Sequence, residues 1–470
     1  MRKTDRIGLF TDYYELLMAQ GVFFNGNPEC EFYAFYRNNP RHSAYSILSG
    51  ISELLEDIAD FRFSQDDISY LSGLGVFRKE FLKYLEGFSF SGEILSFRDG
   101  DVIFPYEPVL IIRGTFCECA LLETFVLNCL NFPSCVATKA ARVVESAKGK
   151  PVFEFAPRRA PFLESANCAS YSAYLGGCCA TSNTLAGRIY DIPVFGTMAH
   201  SWIMNFDSES DAFLSFYGMY PDNCTFLIDT FDTLKSGIFS AMKVGAAMRK
   251  DGKTFNIRID SGDLSYLAKE CRRILDSNGF LDTKICLSND LDESIISQLY
   301  LENTPADSFG VGTKLVNQSS LGFVYKLSRI SKNGRFVNRM KISSSKEKMT
   351  LPGSFQVHRF YGKDGIMCAD MIESVGKFAW SKQYLLHHPV KDEAFVLKDF
   401  DRCEEKLVQR VFQGNLTADV PTATQCRDFC RNALALLHDS HKRLLNPHIY
   451  KVSLGECIKA ERESIVAGFK

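Results

Sequence analysis

Between residues 150 and 316, short apolar runs alternate with longer stretches in which apolar residues recur at helical spacing. The apolar runs have the length of buried strands and cover residues 151–155, 225–229, 254–260, 284–288 and 308–312, and a shorter apolar run, also a predicted strand, lies directly before Gly196. The helical stretches cover residues 231–249, 264–277 and 292–301. Strand–helix units repeated every ~30 residues are typical of a parallel βα architecture, and the spacing leaves a barrel and an open doubly wound sheet as alternatives.

The two ends of the chain lack this regular alternation. The upstream pattern predicts a capped helix, a strand and two further helices, at residues 8–24, 30–36, 47–61 and 119–130. Downstream, residues 314–356 are basic and rich in turns, and the last hundred residues have the charged faces of helices. We expect an N-terminal α+β domain (1–135), a βα domain (136–345) and a mainly helical C-terminal segment (346–470) that packs on the N-terminal domain.

Reactive or flexible residues follow each predicted strand of the middle region. They are Arg158 and Arg159, Thr197 and His200, Asp229, Asp260 with Ser261, Gly262 and Asp263, Ser288 with Asn289 and Asp290, and Gly310, Gly312 and Thr313. The carboxyl ends of parallel strands form the active face of βα folds. One aspartate after a strand is usually a helix cap, but six such clusters in series indicate a functional site.

The chemistry of these clusters suits a phosphorylated sugar. The Ser288-Asn289-Asp290 and Gly310–Thr313 segments offer backbone N–H groups for a phosphate. Asp260 and Asp263 can hold ribose hydroxyls or Mg²⁺. Arg158, Arg159 and Arg258 can bind a diphosphate or a carboxylate through two hydrogen bonds each, which Arg geometry favours.

Composition narrows the class of protein further. The net charge is −2 and basic residues do not collect in one block, which argues against nucleic acid as the main partner. The longest apolar runs are strand-sized and none follows the charged N-terminus, so we expect neither a membrane span nor a signal peptide. The 16 cysteines lack a paired CxxC spacing, so we expect reduced thiols rather than disulfides or structural zinc.

The motifs around these clusters resemble those of the nicotinate phosphoribosyltransferases, in the same order along nearly the whole chain. They are TDYY at 11–14, FEFAPRRA at 153–160, TSNTLAGRIYDIPVFGTMAHS at 181–201, LIDTFDTL at 227–234, RIDSGDL at 258–264, SNDLDE at 288–293, FGVGT at 309–313 and NPHIY at 446–450. The chain departs from the family at Ala156-Pro157, where the family usually has a glycine first and no proline.

The resemblance implies a type II phosphoribosyltransferase fold, an irregular parallel βα barrel within an α/β chain. It implies that nicotinate and phosphoribosyl diphosphate become nicotinate mononucleotide and diphosphate, with ATP as co-substrate and Mg²⁺ bound through phosphates, for which Asp260 and Asp263 are candidate ligands. The nicotinate-site residues would be Tyr14, Phe155, Asn183, Thr197 and Arg258. The phosphoribosyl diphosphate residues would be Arg158, Ser288, Asn289, Gly310, Gly312 and Thr313.

The resemblance also assigns two catalytic residues and an assembly. Asp260 would hold the ribose, and His200 would be the histidine that ATP phosphorylates. Tyr14 would enter the site of a neighbouring subunit, which predicts a homodimer with shared active sites. We also expect a cytoplasmic protein.

Two alternatives remain at this stage. The first is a sister enzyme that uses nicotinamide or quinolinate; nicotinamide-using relatives carry Asp where this chain has Asn183. The second is a catalytically silent barrel that binds nucleotides.

Overall fold

The structure is a computed structural model that describes residues 7–318 and 320–469. Within those residues the chain forms two compact units. The central unit is Lys139–Gln318, and the terminal unit contains the described residues before and after it.

The first third of the chain mixes helices and strands, as the sequence predicts. Its helices are α1 (Tyr13–Phe23), α2 (Ile51–Asp57), α3 (Gln65–Gly73), α4 (Lys79–Glu86), α5 (Phe116–Leu121) and α6 (Glu123–Ser146). Its strands are β1 (Glu29–Phe35), β2 (Ser46–Ile47), β3 (Glu93–Ser96), β4 (Val102–Ile103) and β5 (Leu110–Thr115). Ser64 and Thr115 precede α3 and α5 and form capping boxes. In each, the cap side chain accepts a hydrogen bond from the backbone N–H three residues later, and the carboxylate of that later residue accepts from the backbone N–H of the cap.

The middle third has the predicted strand–helix alternation. Its strands are β6 (Val152–Glu154), β7 (Ala180–Thr181), β8 (Thr225–Leu227), β9 (Asn256–Ile259), β10 (Ile285–Ser288) and β11 (Ser308–Val311). Its helices are α7 (Leu163–Leu175), α8 (Thr184–Tyr190), α9 (His200–Met204), α10 (Glu209–Met219), α11 (Ile238–Lys250), α12 (Leu264–Ser277), α13 (Glu293–Leu301) and α14 (Thr313–Val316).

The last third is richer in strands than its sequence pattern predicts. Its strands are β12 (Val324–Lys332), β13 (Arg335–Asn338), β14 (Phe355–Gly362), β15 (Met367–Ser374), β16 (Tyr384–His387), β17 (Ala394–Leu397), β18 (Phe400–Glu405), β19 (Val408–Phe412), β20 (Asn415–Leu416) and β21 (Val452–Leu454). Its helices are α15 (Ala423–Ala435), α16 (Asp439–Lys442) and α17 (Glu456–Ala467).

The prediction of a mainly helical C-terminal segment is therefore wrong. Strands β14 and β15 are buried along almost their whole length, so they lack the apolar–polar alternation that identifies a half-exposed strand. Strand β18 carries charged, largely exposed side chains, a pattern that is also typical of the exposed face of a helix. The terminal unit has a seven-stranded sheet of order β13-β12-β1-β5-β3-β19-β20 and a six-stranded sheet of order β17-β16-β21-β15-β14-β18.

The central unit is built on one parallel sheet of order β7-β6-β11-β10-β9-β8, which confirms the βα prediction. This sheet is a curled half-barrel. Helix α11 packs very close to it, because a side chain at Gly245 would place its Cβ 2.1 Å from the Phe255 ring. Since all six strands run in one direction, their carboxyl ends and the polar residues that follow them share one edge.

One stretch of the described chain, Phe116–Ser146, is long and apolar enough to cross a membrane. Most of its apolar window is buried inside the protein, as is typical of a core helix.

Candidate active site

The side chain of Arg258, at the end of β9, connects residues from three neighbouring segments. Its guanidinium donates through Nε to Ser288 Oγ (2.8 Å), through one terminal nitrogen to Thr197 Oγ1 (3.2 Å) and through the other to Asp260 Oδ1 (2.8 Å). Its side chain is only 11% exposed, so these bonds form largely away from water. The Ser288 hydroxyl in turn donates to Asp260 Oδ1. Four residues that the sequence separates by up to 91 positions thus form one hydrogen-bonded cluster.

A wall of aromatic rings lies beside this cluster. The guanidinium carbon of Arg258 is 5.4 Å from the centre of the Phe155 ring. Phe155 and Phe195 are parallel, with ring centres 6.4 Å apart, and Phe153 stacks on Phe195 at 3.9 Å. A side chain at Gly310 would place its Cβ 2.4 Å from the Phe155 ring, so only glycine leaves room for this ring. Gly310 therefore shapes the ring wall, a role that its sequence pattern does not indicate.

Asp260 and Asp229 are adjacent carboxylates at the ends of β9 and β8. Asp229 Oδ2 accepts hydrogen bonds from the Asp260 backbone N–H (2.9 Å) and the Ser261 hydroxyl (2.6 Å). The other oxygen of Asp229 is buried and has no hydrogen-bond partner among the described residues. A buried carboxylate oxygen without a donor is energetically unfavourable, which points to a ligand that supplies positive charge or a donor there.

His200 is the first residue of α9 and faces the same carboxylates. Its Nδ1 lies 3.1 Å from the Thr230 hydroxyl, and its Nε2 lies 3.9 Å from Asp260 Oδ2. The side chain is 40% exposed, so a substrate can reach it. The strand predicted before it is reduced to a single bridge, Thr181 to Val194, with backbone bonds on either side.

The predicted phosphate segments lie at the same sheet edge. Asn289 and Asp290, directly after β10, have φ angles of 97° and 45°, so two successive residues adopt the left-handed region and turn the chain sharply before α13. Gly312 directly precedes Thr313, the first residue of the short helix α14. Asp263 instead caps α12 by accepting from the Tyr266 N–H (3.0 Å), a structural role that makes it a poorer metal ligand than Asp229.

Arg158 lies on an exposed 3-10 turn, Pro157–Arg159, and forms no ion pair with a described residue. Ala156 before it is fully buried, and its N–H donates to the carboxylate of Glu154. Thr181 donates to the same carboxylate. Burial raises the pKa of Glu154. This carboxylate thus connects the Arg158 turn to the end of β7.

Asn183 occupies the cap position of α8, where both its side-chain oxygen and its side-chain nitrogen are hydrogen-bonded. Its side-chain oxygen accepts from the Ala186 N–H (3.2 Å), and its amide nitrogen donates to Asn167 Oδ1 (3.0 Å) and Ser170 Oγ (3.3 Å). None of these partners belongs to the Arg258 cluster, so its predicted effect on the ligand would be electrostatic. The amide orientation follows from these partners.

Tyr14 belongs to the terminal unit, on α1, and its side chain is half exposed. Burial of its hydroxyl and nearby carboxylates raise its pKa, so the ring stays neutral at physiological pH. Glu15 beside it is buried and accepts from the Thr124 hydroxyl at 3.0 Å, which holds this end of α1 against α6.

Three further residues at this sheet edge were not assigned roles from the sequence: Asp229, Thr230 and Glu154. Asp229-Thr230 follow a predicted strand, so their position signalled the site, but the pattern does not distinguish a helix cap from a ligand-facing carboxylate. Glu154 lies inside a strand, where a carboxylate gives no periodic signal.

Comparison with known proteins identifies what the chain is similar to. Three family descriptions match: the nicotinate phosphoribosyltransferase (NAPRTase) N-terminal domain over residues 9–131, the NAPRTase family over 152–351 and the NAPRTase C-terminal domain over 355–460. The nicotinate phosphoribosyltransferase of Bacillus subtilis is 35% identical over 97% of this chain and 94% of its own length. That of Caenorhabditis elegans is 32% identical over 95% and 91%. The crystal structure of human nicotinic acid phosphoribosyltransferase superimposes with a TM-score of 0.85 at 26% identity, covering 97% of this chain and 99% of that one.

Proposed function

This chain belongs to the nicotinate phosphoribosyltransferase family, and we infer that it converts nicotinate and phosphoribosyl diphosphate into nicotinate mononucleotide and diphosphate, a step of NAD biosynthesis. The observation in the fold that carries this reading is the Arg258 cluster, because it combines a cation, a ring wall and a carboxylate at the carboxyl edge of the parallel sheet.

Arg258 and Phe155 make the nicotinate subsite. A guanidinium has five N–H donors, and Arg258 uses three of them, on Ser288, Thr197 and Asp260. One donor remains on each terminal nitrogen, the pair that binds a carboxylate through two parallel hydrogen bonds. The pyridine ring lies against Phe155, and Tyr14 of a neighbouring chain covers its other face.

The ribose and phosphates occupy the neighbouring strand ends. Asp260 holds a ribose hydroxyl through its less engaged oxygen, and Arg158 binds the diphosphate. Ser288, Asn289, Gly310, Gly312 and Thr313 surround the 5′-phosphate. The pyridine nitrogen attacks C1 as diphosphate departs. Donors fixed on the diphosphate stabilise the negative charge that develops there, and the bound phosphates hold the reactants in line.

The carboxylates fit a magnesium ion. Asp229, which bonds to the Asp260 backbone, has a buried oxygen without a hydrogen-bond partner in the described part of the chain, and Mg²⁺ is commonly held by one or two carboxylates together with substrate phosphates. Bound Mg²⁺ would neutralise charge on the diphosphate. We place it on Asp229 and Asp260, because Asp263 is occupied as a helix cap.

The assay that tests this function compares nicotinate with nicotinamide and quinolinate. We expect kcat/KM for nicotinate to exceed that for nicotinamide at least about 100-fold, because a neutral amide leaves the two Arg258 donors without a carboxylate. Equal use of the two bases would refute the inference and favour the sister-enzyme alternative. Binding of nucleotides without turnover of any base would favour the silent barrel.

The same base preference predicts the effect of Asn183→Asp. A carboxylate at this position repels the carboxylate of nicotinate, so KM for nicotinate should rise while KM for nicotinamide stays nearly constant. Asn183→Ala is the control, because it also removes the amide donor to Asn167 and Ser170 but adds no charge. If the two variants raise KM for nicotinate equally, the charge of this residue is irrelevant.

We propose that ATP phosphorylates His200 and that this couples ATP hydrolysis to tighter binding of phosphoribosyl diphosphate. His200→Ala should then keep slow ATP-independent synthesis and lose both ATPase activity and stimulation by ATP. Thr230→Val, which removes the hydroxyl 3.1 Å from Nδ1, should weaken the stimulation without abolishing it. A His200→Ala enzyme that ATP still stimulates would exclude the phosphohistidine.

We also propose a homodimer with shared active sites, in which Tyr14 of each chain serves the partner's Arg258 cluster. What supports it is the exposed apolar face of α1, where Tyr13, Tyr14, Leu17 and Met18 are each about 40–50% exposed.

Mixing two inactive variants tests this assembly. A mixed dimer of Tyr14→Ala and Asp260→Ala chains has one doubly altered site and one intact site. With random exchange about half the dimers are mixed, so roughly a quarter of all sites should recover activity. Mixtures that stay inactive after proven subunit exchange would show that Tyr14 serves its own chain.

We also propose a domain layout and a cellular location. An irregular barrel domain covers residues 136–345, the C-terminal segment packs on the N-terminal domain, and the enzyme is cytoplasmic. Supporting the packing, the described residues of both chain ends fall in one compact unit.

A further inference from the structure

The terminal unit contains a cavity of about 820 Å³ that plays no part in the proposed reaction. It is lined by Glu347 and by four segments: residues 37–44, the turn at 105–106, residues 388–395 and residues 447–453. This volume lies within the range of cavities that hold small molecules, which is about 300–1,000 Å³.

The lining of this cavity is positively charged. Its cations are Arg37, Arg41, Lys391 and Lys451, and its carboxylates are Glu347 and Glu393. Among the described residues, Arg41 and Lys451 have no carboxylate within ion-pair distance. Lys391 is 4.0 Å from Glu393, and both are more than 60% exposed, so that pair is weak. The cavity therefore offers charges that an anion could neutralise.

Aromatic rings form part of the same lining. The Lys451 ammonium lies 4.2 Å from the centre of the half-buried Phe395 ring. Tyr106 is half buried on the opposite segment. Tyr450 is buried, with its ring stacked on Phe104 at 3.8 Å and its hydroxyl donating to Asp370 (2.9 Å), so the 447–453 segment is firmly anchored. A ring with a cation beside it is a common way to bind a flat anionic ligand.

The 388–395 and 105–106 segments are held in fixed turns. His388 Nδ1 accepts from the N–H groups of Val390 and Lys391, both at 3.0 Å. Burial lowers the pKa of His388, so the neutral imidazole keeps its other nitrogen as a hydrogen-bond donor. Tyr106 has a φ of 68° and its N–H donates to the Tyr36 carbonyl at 2.7 Å. A lining held in place before a ligand arrives loses little entropy on binding.

We propose that this cavity is a second ligand site, which binds a small anion carrying a flat ring, of the mononucleotide class. Arg41 and Lys451 bind the phosphate, and Phe395 and Tyr106 contact the ring. A bare phosphate would leave the aromatic walls unused, and an uncharged nucleoside would leave the two cations unpaired.

Photolabelling of the full chain with 8-azido-AMP, followed by peptide mass spectrometry, tests the proposal. We expect adducts on peptides from residues 388–395 or 447–453. AMP should suppress them, and adenosine or inorganic phosphate should need concentrations at least about tenfold higher, because each lacks one of the two contacts.

The double variant Arg41→Ala/Lys451→Ala should lose most of this labelling, at least about fivefold, while keeping normal turnover of nicotinate. Lys377→Ala/Lys382→Ala is the control, because both lysines are exposed and lie outside the cavity. Absence of adducts on the two segments, unchanged labelling of the Arg41/Lys451 variant, or suppression by phosphate as effective as that by AMP would each overturn the proposal.

Discussion

Replacing Arg258 by alanine should lower kcat/KM for nicotinate by about 10³-fold or more. The change removes the two donors proposed for the nicotinate carboxylate. It also leaves the partly buried Asp260 carboxylate without its 2.8 Å ion pair, and Ser288 and Thr197 without a shared donor. Arg258→Lys should recover only part of the loss, because an ammonium keeps the charge but not the planar fork. Steady-state kinetics with nicotinate and with phosphoribosyl diphosphate varied in turn measure the effect.

The matched control is Arg273→Ala, in the same unit. Arg273 is 66% exposed and pairs only with Glu270 one helical turn away, so its removal should leave the kinetics unchanged. The midpoint of thermal unfolding, measured for both variants, separates lost chemistry from lost folding. An Arg258→Ala enzyme that is folded and within about tenfold of the parent in kcat/KM would refute the assigned role.

Replacing Arg359 by methionine should destabilise the terminal unit by about 3–5 kcal/mol. Arg359 is fully buried and donates to both oxygens of Asp370, at 2.7–3.0 Å, and to the Val102 carbonyl at 2.9 Å. It lies 3.4 Å from the equally buried Glu107. Methionine fills a similar volume but leaves the Asp370 carboxylate buried without its counter-ion. Urea unfolding followed by circular dichroism measures the loss.

The pH dependence of that loss has a definite sign. In the parent protein, Arg359 holds the pKa of Asp370 below its ordinary value, so the stability that Asp370 contributes is lost as pH falls. Without Arg359, burial dominates and raises this pKa. Asp370 of the variant is therefore protonated as pH falls, which removes the free-energy cost of burying its charge. The deficit should therefore be smaller at about pH 5.5 than at about pH 7.5.

Arg402→Met is the control for this prediction. Arg402 lies on the neighbouring strand β18 and pairs with Glu404, but both side chains are more than 40% exposed, so the cost should stay below about 1 kcal/mol. If Arg359→Met and Arg402→Met lower the free energy of unfolding equally, the burial of Arg359 and its partners does not contribute to stability.

The fold was predictable where one periodicity covers a whole unit. Strands β8 to β11 and helices α12 and α13 are recovered within a few residues, because the strands are short apolar runs and the helices have one apolar side toward the sheet, whereas α11 begins seven residues later than predicted. The strands β14 to β21 were missed for a physical reason. Whether a charged stretch such as β18 is strand or helix depends on its pairing with β14, which is distant in sequence.

By itself, the sequence determined the parallel βα architecture, the family and the sheet edge at which the reactive residues collect, because these follow from local periodicity and from ordered motifs. Only the tertiary structure decided how those residues divide the work. It assigns Asp263 to a helix cap, gives Gly310 the task of leaving room for Phe155, and places an unpartnered oxygen of Asp229 beside Asp260. The roles of Gly310 and Asp229 depend on which atoms meet across strands, and the spacing of residues along one chain does not contain that information.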